Sequence, residues 1–183
     1  GNGSDTLVGH ASIFDTVVDS LDGGDGDDIL YAEPFDVIQG GAGRDLLYIV
    51  NSNPININLG SAGIEWIWSE FGDDVIDGSS QTVGIEVYAD GGNDNITGSS
   101  QNDIIWSGSG NDTVTGGGGD DVIVADISMP HLNGIDALLQ LKQADKRVRV
   151  VFLTMHPEVA YARRALAAGA SGYVLKHSAP DEL

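Results

Sequence analysis

Asp94, Asp103, Asp112 and Asp121 are spaced nine residues apart, and each is followed two residues later by an apolar side chain: Ile96, Ile105, Val114 and Ile123. A period of nine is neither the helical 3.6 nor the strand's 2, so each unit must hold its own turn and a short strand, with neighbouring units stacking. Written out, the contiguous units are ADGGNDNIT, GSSQNDIIW, SGSGNDTVT and GGGGDDVIV (residues 89–124). Isolated units of the same form occur upstream at GGDGDDILY (23–31) and GGAGRDLLY (40–48), with partial ones at GNGSDTLV (1–8) and FGDDVID (71–77). The opening residues read as the middle of a repeat. A Gly-rich acidic run also suits a disordered linker. Disorder, however, does not require an apolar residue in phase in every unit.

Glycine permits positive φ, so the first half of each unit can turn tightly and aim its carbonyls inward. The aspartate adds a carboxylate. Calcium takes six to eight hard oxygen ligands, more than one turn offers, so stacked turns would share an ion. A nine-residue turn-plus-strand is half a coil, and eighteen residues make one circuit. Asp94 should then stack on Asp112 along one edge and Asp103 on Asp121 along the other. The inward Ile and Val side chains would form a thin core between two parallel sheets. Residues 49–71 carry no repeat and alternate apolar with polar, as in Ile55-Asn56-Ile57-Asn58-Leu59. They read as strands that interrupt or cap the coil, with Trp66 and Trp68 packing there in a structural role.

The nine-residue units resemble the GGxGxDxUx repeat (U apolar) of the RTX, or haemolysin-type, calcium-binding family. The resemblance implies a parallel β-roll that holds several calcium ions between successive turns. It implies as ligands Asp28, Asp45, Asp74, Asp94, Asp103, Asp112 and Asp121, joined by backbone carbonyls at positions such as Gly108, Gly110, Gly117 and Gly119. It also points to secreted bacterial proteins. Gln101 departs from the pattern at a turn glycine, and Ala89-Asp90 replaces an opening pair.

Composition breaks near residue 120. Residues 1–119 hold 20 acidic residues against one base, Arg44, a charge of −19 out of the chain's −20. Residues 120–183 hold 8 acids and 7 bases, and only 3 of the 26 glycines. We therefore divide the chain into a roll over 1–119 and a second segment over 120–183. Such an acidic first part opposes nucleic-acid binding, and it opposes its own compaction unless cations neutralise it. In the second part, strand 121–125, helix 134–144, strand 148–154, helix 157–169 and strand 172–175 alternate, the pattern of parallel βαβ units. Function in such sheets sits at the carboxyl ends of the strands, where Asp126, Thr154 and Lys176 fall.

The strings VIVADISMPHLNG, VVFLTMH and ALAAGASGYVLK resemble the second half of a response regulator receiver domain. That resemblance implies Asp126 as phosphoacceptor, Thr154 contacting the phosphoryl group and Lys176 neutralising it. It further implies magnesium with the Ser128 carbonyl as a ligand, a histidine kinase as partner, and a cytoplasmic setting. The family's first two strands, with the acidic pair that holds magnesium, have no counterpart in this sequence. Residues 120–124 satisfy the repeat and the receiver strand together, so one strand is expected to serve both. The fold class is thus mainly β, a parallel β-roll followed by a partial receiver-like (flavodoxin-like) βαβαβ unit.

No catalytic residues emerge. The chain has no Cys, no GxSxG, no HExxH and no P-loop; His10, His131, His156 and His177 lack ligand spacing. No apolar run is long enough to span a bilayer as a helix. The two readings are a calcium-dependent structural or binding module and a phosphorelay receiver; an unselected fusion or mosaic is the third.

Overall fold

A computed structural model describes residues 1–9, 17–126, 135, 138–139, 141–142, 147–155 and 159–176. Every paired strand in it is parallel. The odd-numbered strands of the roll lie in one sheet: β1 (Thr6–Val8), β3 (Ile29–Ala32), β5 (Leu46–Ile49), β7 (Trp66–Trp68), β9 (Glu86–Tyr88), β11 (Ile104–Gly108) and β13 (Val122–Ala125). The even-numbered strands form the opposite layer in two pieces. One is β2 (Ser20–Asp25) with β4 (Val37–Ala42); the other is β6 (Asn56–Asn58), β8 (Val75–Asp77), β10 (Asn95–Thr97) and β12 (Thr113–Thr115).

The eighteen-residue circuit is present where the repeats are contiguous: Ile105 pairs with Ile123 and Ile96 with Val114. The short strands turn apolar side chains inward, one on most and two on β3 and β5. Leu30, Leu47, Ile67, Val87, Ile105 and Ile123 come from one layer, and Ile57, Ile76 and Ile96 from the other, all buried. A fully buried side chain of this size stabilises by about 1.5–3 kcal/mol. The core is therefore a thin layer between the two sheets, which is why the edges matter.

Residues 49–71 correct the expectation of an interruption. They continue the first sheet without a break, because β7 pairs with both β5 and β9. Only the second layer is divided, between β4 and β6, where a short helical turn α1 (Leu59–Ala62) follows β6 and contacts β4. Asn58 caps α1 by accepting the Ser61 N–H, and Gly63 ends it with φ +64°. Trp68 is not enclosed but half-exposed on the outer face, in a ladder Tyr31–Tyr48–Trp68–Tyr88–Trp106 with ring centroids 5.5–5.6 Å apart. Trp66 carries Arg44 over its ring at 5.3 Å, and Arg44 pairs with Glu86.

Beyond β13 the same sheet continues into β14 (Arg149–Thr154) and β15 (Gly172–Leu175), with helix α2 (Val159–Ala167) between them. The expected helix over 134–144 lies largely outside the described residues. β13 pairs with β11 on one side and β14 on the other, so one strand does close the roll and open the tail. Among the described residues, no helix is long and apolar enough to cross a membrane.

Candidate metal centres

The turns stack into two edges, and aspartates run along both. On the edge that precedes the first sheet, Asp28 Oδ1 accepts the Asp5 N–H at 2.7 Å and Asp45 Oδ1 accepts the Asp28 N–H at 2.9 Å. Farther along, Asp103 Oδ1 accepts from Ile85 at 2.8 Å and Asp121 Oδ1 from Asp103 at 3.1 Å. On the opposite edge, Asp74 accepts from Ile55 at 3.0 Å, Asp94 from Asp74 at 2.9 Å and Asp112 from Asp94 at 3.1 Å. The expected stacking of Asp94 on Asp112 and Asp103 on Asp121 is therefore present. A second series runs the other way through the preceding residue: Asn93 donates to Asp73, Asn111 to Asn93, and Asp120 to Asn102. Sequence reasoning overlooked this series, although Asp or Asn recurs just before the repeat aspartate.

One oxygen of each carboxylate is thus used on the main chain. The other oxygen, Oδ2 of Asp28, Asp45, Asp74 and Asp94, meets no hydrogen-bond donor, and each of these residues is at most 1% exposed. A bare anionic oxygen out of water is strongly unfavourable unless a cation meets it. Beside Asp28 and Asp45 the space is kept open by glycine. A Cβ on Gly40 would sit 2.8 Å from Asp45 Oδ2 and run into the Gly63 carbonyl; one on Gly23 would run into Asp28 Oδ2 and meet the Gly40 carbonyl at 2.5 Å. Each cradle so offers a carboxylate and a main-chain carbonyl from the next turn, the hard-oxygen set that calcium takes. Among the described residues, no three acidic or histidine side chains converge on one point. The rest of a shell would accordingly come from main-chain oxygens.

Burial raises the proton affinity of several of these acids. Asp94 is pushed up to about 7 by burial, with the charges of Asp112, Asp74 and Asp73 adding to it. Asp45, Asp103 and Asp112 are raised in the same sense, burial again leading. Gly108, Gly110, Gly117 and Gly119 line the turns with φ of +82°, +146°, +90° and +106°, and at Gly110 a Cβ would collide with the Gly92 carbonyl.

Two turns differ. Asp103 is internally satisfied: besides Ile85, it accepts the Ser99 N–H and the Ser99 hydroxyl, each at 2.7 Å. At the turn before β7, Glu65 stands in for aspartate. It accepts the Asp45 N–H at 3.1 Å, and its other oxygen accepts from Gln81 Nε2 at 3.0 Å. The same Gln81 nitrogen donates to the carbonyls of Ile64 (2.8 Å) and Leu59 (3.4 Å). A neutral amide there faces the donor set that elsewhere faces a gap.

Four stretches, residues 18–34, 35–48, 59–81 and 88–123, match the RTX calcium-binding nonapeptide repeat. Residues 18–123 are an RTX repeat region. The receiver domain of response regulators matches over residues 113–183, so the RTX and receiver matches overlap on β12 and the start of β13. The transcriptional regulatory protein MctR of Rhizobium johnstonii is 40% identical over 61 residues, 33% of this chain and 28% of that protein. The transcriptional regulatory protein DegU of Brevibacillus brevis is 43% identical over 61 residues, 33% of this chain and 26% of that protein. The response regulator UvrY of Escherichia coli is 35% identical over the same length, 28% of that protein. The chain thus spans about a quarter of the length of these relatives. No solved structure matches it.

In the receiver-like tail, Asp126, Thr154 and Lys176 follow or end β13, β14 and β15, as the alternation predicts. Lys176 Nζ pairs with Asp126 Oδ2 at 3.1 Å, and Thr154 is fully buried, its carbonyl accepting the Lys176 N–H. Ser128 and the rest of the expected acceptor loop lie outside the described residues. Flavodoxin-like sheets run 2-1-3-4-5. With β13, β14 and β15 as the last three strands, the roll's β11 occupies the place of the first.

Proposed function

We propose that this chain is a calcium-dependent structural or binding module, not a catalyst, in which ions held between stacked turns convert a self-repelling acidic chain into a rigid roll. The observation that carries this reading is the set of buried, donorless Oδ2 atoms on Asp28, Asp45, Asp74 and Asp94, with Gly23 and Gly40 lying against those of Asp28 and Asp45. Calcium would supply the positive charge those oxygens lack. Asp112 and Asp121 extend the two edges, and the carbonyls at Gly108, Gly110, Gly117 and Gly119 would complete the shells. Asp103, already met by Ser99 and Ile85, contributes least. Ions that bind only the folded chain couple their concentration to folding.

The test is a calcium titration of the purified chain by far-UV circular dichroism, with magnesium as control. A cooperative gain of β signal in calcium alone is expected, weakened in Asp45→Asn and Asp94→Asn. No gain in calcium would overturn the reading.

A second reading, phosphorelay through the tail with a histidine kinase as partner, is favoured by the Lys176–Asp126 pair at the carboxyl edge. Magnesium would then be the metal at Asp126. Labelling by acetyl phosphate, abolished in Asp126→Asn, is the expected result; a folded chain that takes no label would exclude it.

A further inference from the structure

Glu33 is 1% exposed, and neither of its carboxylate oxygens meets a hydrogen-bond donor. It lies between β3 and β4, in a turn (residues 32–36) that contains no glycine. The aspartate of that turn differs from its counterparts on the same edge. Asp74 and Asp94 accept one main-chain N–H and leave Oδ2 bare. Asp36 instead accepts at both oxygens, from the Asp19 N–H at 2.9 Å and the Glu33 N–H at 2.8 Å. The donor of that second bond is the residue whose own carboxylate is bare. The bare anionic group has moved three residues back along the turn.

Glu65 provides the comparison. It too is a buried glutamate in an irregular turn, yet one oxygen accepts the Asp45 N–H and the other the Gln81 amide. No such group answers Glu33. A buried carboxylate with two donorless oxygens is strongly unfavourable, and a bidentate hard-oxygen ligand suits a divalent cation.

We propose that Glu33 is the ligand of an additional calcium ion, at a turn that lacks the glycines of the nonapeptide units. This rests on the reading of the roll as calcium-binding, and the experiment separates the two. Native mass spectrometry of the full chain in saturating calcium counts ions on the parent, Asp94→Asn and Glu33→Gln. Each variant should carry one ion fewer than the parent. If Asp94→Asn loses an ion while Glu33→Gln keeps the parent's number, Glu33 holds no ion and the inference fails with the roll reading intact. If the parent binds none, both fail. Should Glu33→Gln not fold, Glu33→Asp keeps the charge but withdraws it by one methylene. Its half-saturating calcium concentration should rise several-fold; an unchanged value overturns the assignment.

Discussion

A buried carboxylate with one oxygen tied to the main chain and one left bare makes Asp45 and Asp94 sensitive to both protons and metal. Protons should stabilise the ion-free chain. Asp94 in the fold holds its proton up to about 7, whereas an unfolded aspartate releases it near ~3.9. The folded state therefore binds more protons between those values, and its stability falls as pH rises through that window. In chelator, β signal should be greater at about pH 5 than at about pH 8, and Asp94→Asn should flatten the difference. With calcium the dependence reverses, since ion and proton compete for one oxygen. Glycine is the complementary determinant. Gly110→Ala forces a side chain at φ +146° into the Gly92 carbonyl, and urea unfolding should show a loss of at least ~1–3 kcal/mol. The repeat aspartates and glycines are legible from spacing alone. Glu33, Glu65 and Gln81 are not, because they sit in turns that break the period, and their surroundings arise only when those turns stack.

Ile105 is the one buried apolar side chain of β11, so a cavity there cannot be filled from the same strand. Ile105→Ala should cost ~2–5 kcal/mol by urea unfolding in calcium. The rung at residues 59–85 is held differently, by Gln81 donating to two carbonyls and to Glu65. Removing it in Gln81→Ala should destabilise by ~1–3 kcal/mol for the partners left unmet. That loss should be independent of calcium, which parallel urea titrations with ion and with magnesium would verify. The alternation in Ile55–Leu59 correctly marked β6, and tail strand positions agree with the sequence reading to within a residue or so. The continuity of residues 49–71 with the roll was hidden. Its circuits, from Leu46 to Trp66 and from Trp66 to Glu86, are longer than two nine-residue units, so the spacing of nine is lost there.

At the scale of the whole molecule, one nine-stranded parallel sheet runs from β1 to β15, and the compositional break near residue 120 is not a structural break. The boundary in charge was legible in the sequence, and so was the shared strand, because residues 120–124 satisfy two patterns at once. That β11 takes the place of a receiver's first strand was not, since the two are far apart in chain order and unlike in composition. Strands of the roll alternate between layers, so a tail attached through β13 reads the parity of the half-circuits before it. Inserting eighteen residues after Thr115 would lengthen the roll and leave the tail in its sheet. Inserting nine would deliver the tail strands to the opposite layer, with β13 beside β12 and cut off from β11. Soluble yield and resistance to limited proteolysis should survive the first insertion and fall with the second. Lineages that grow or shrink this molecule by tandem duplication should accordingly do so in even steps.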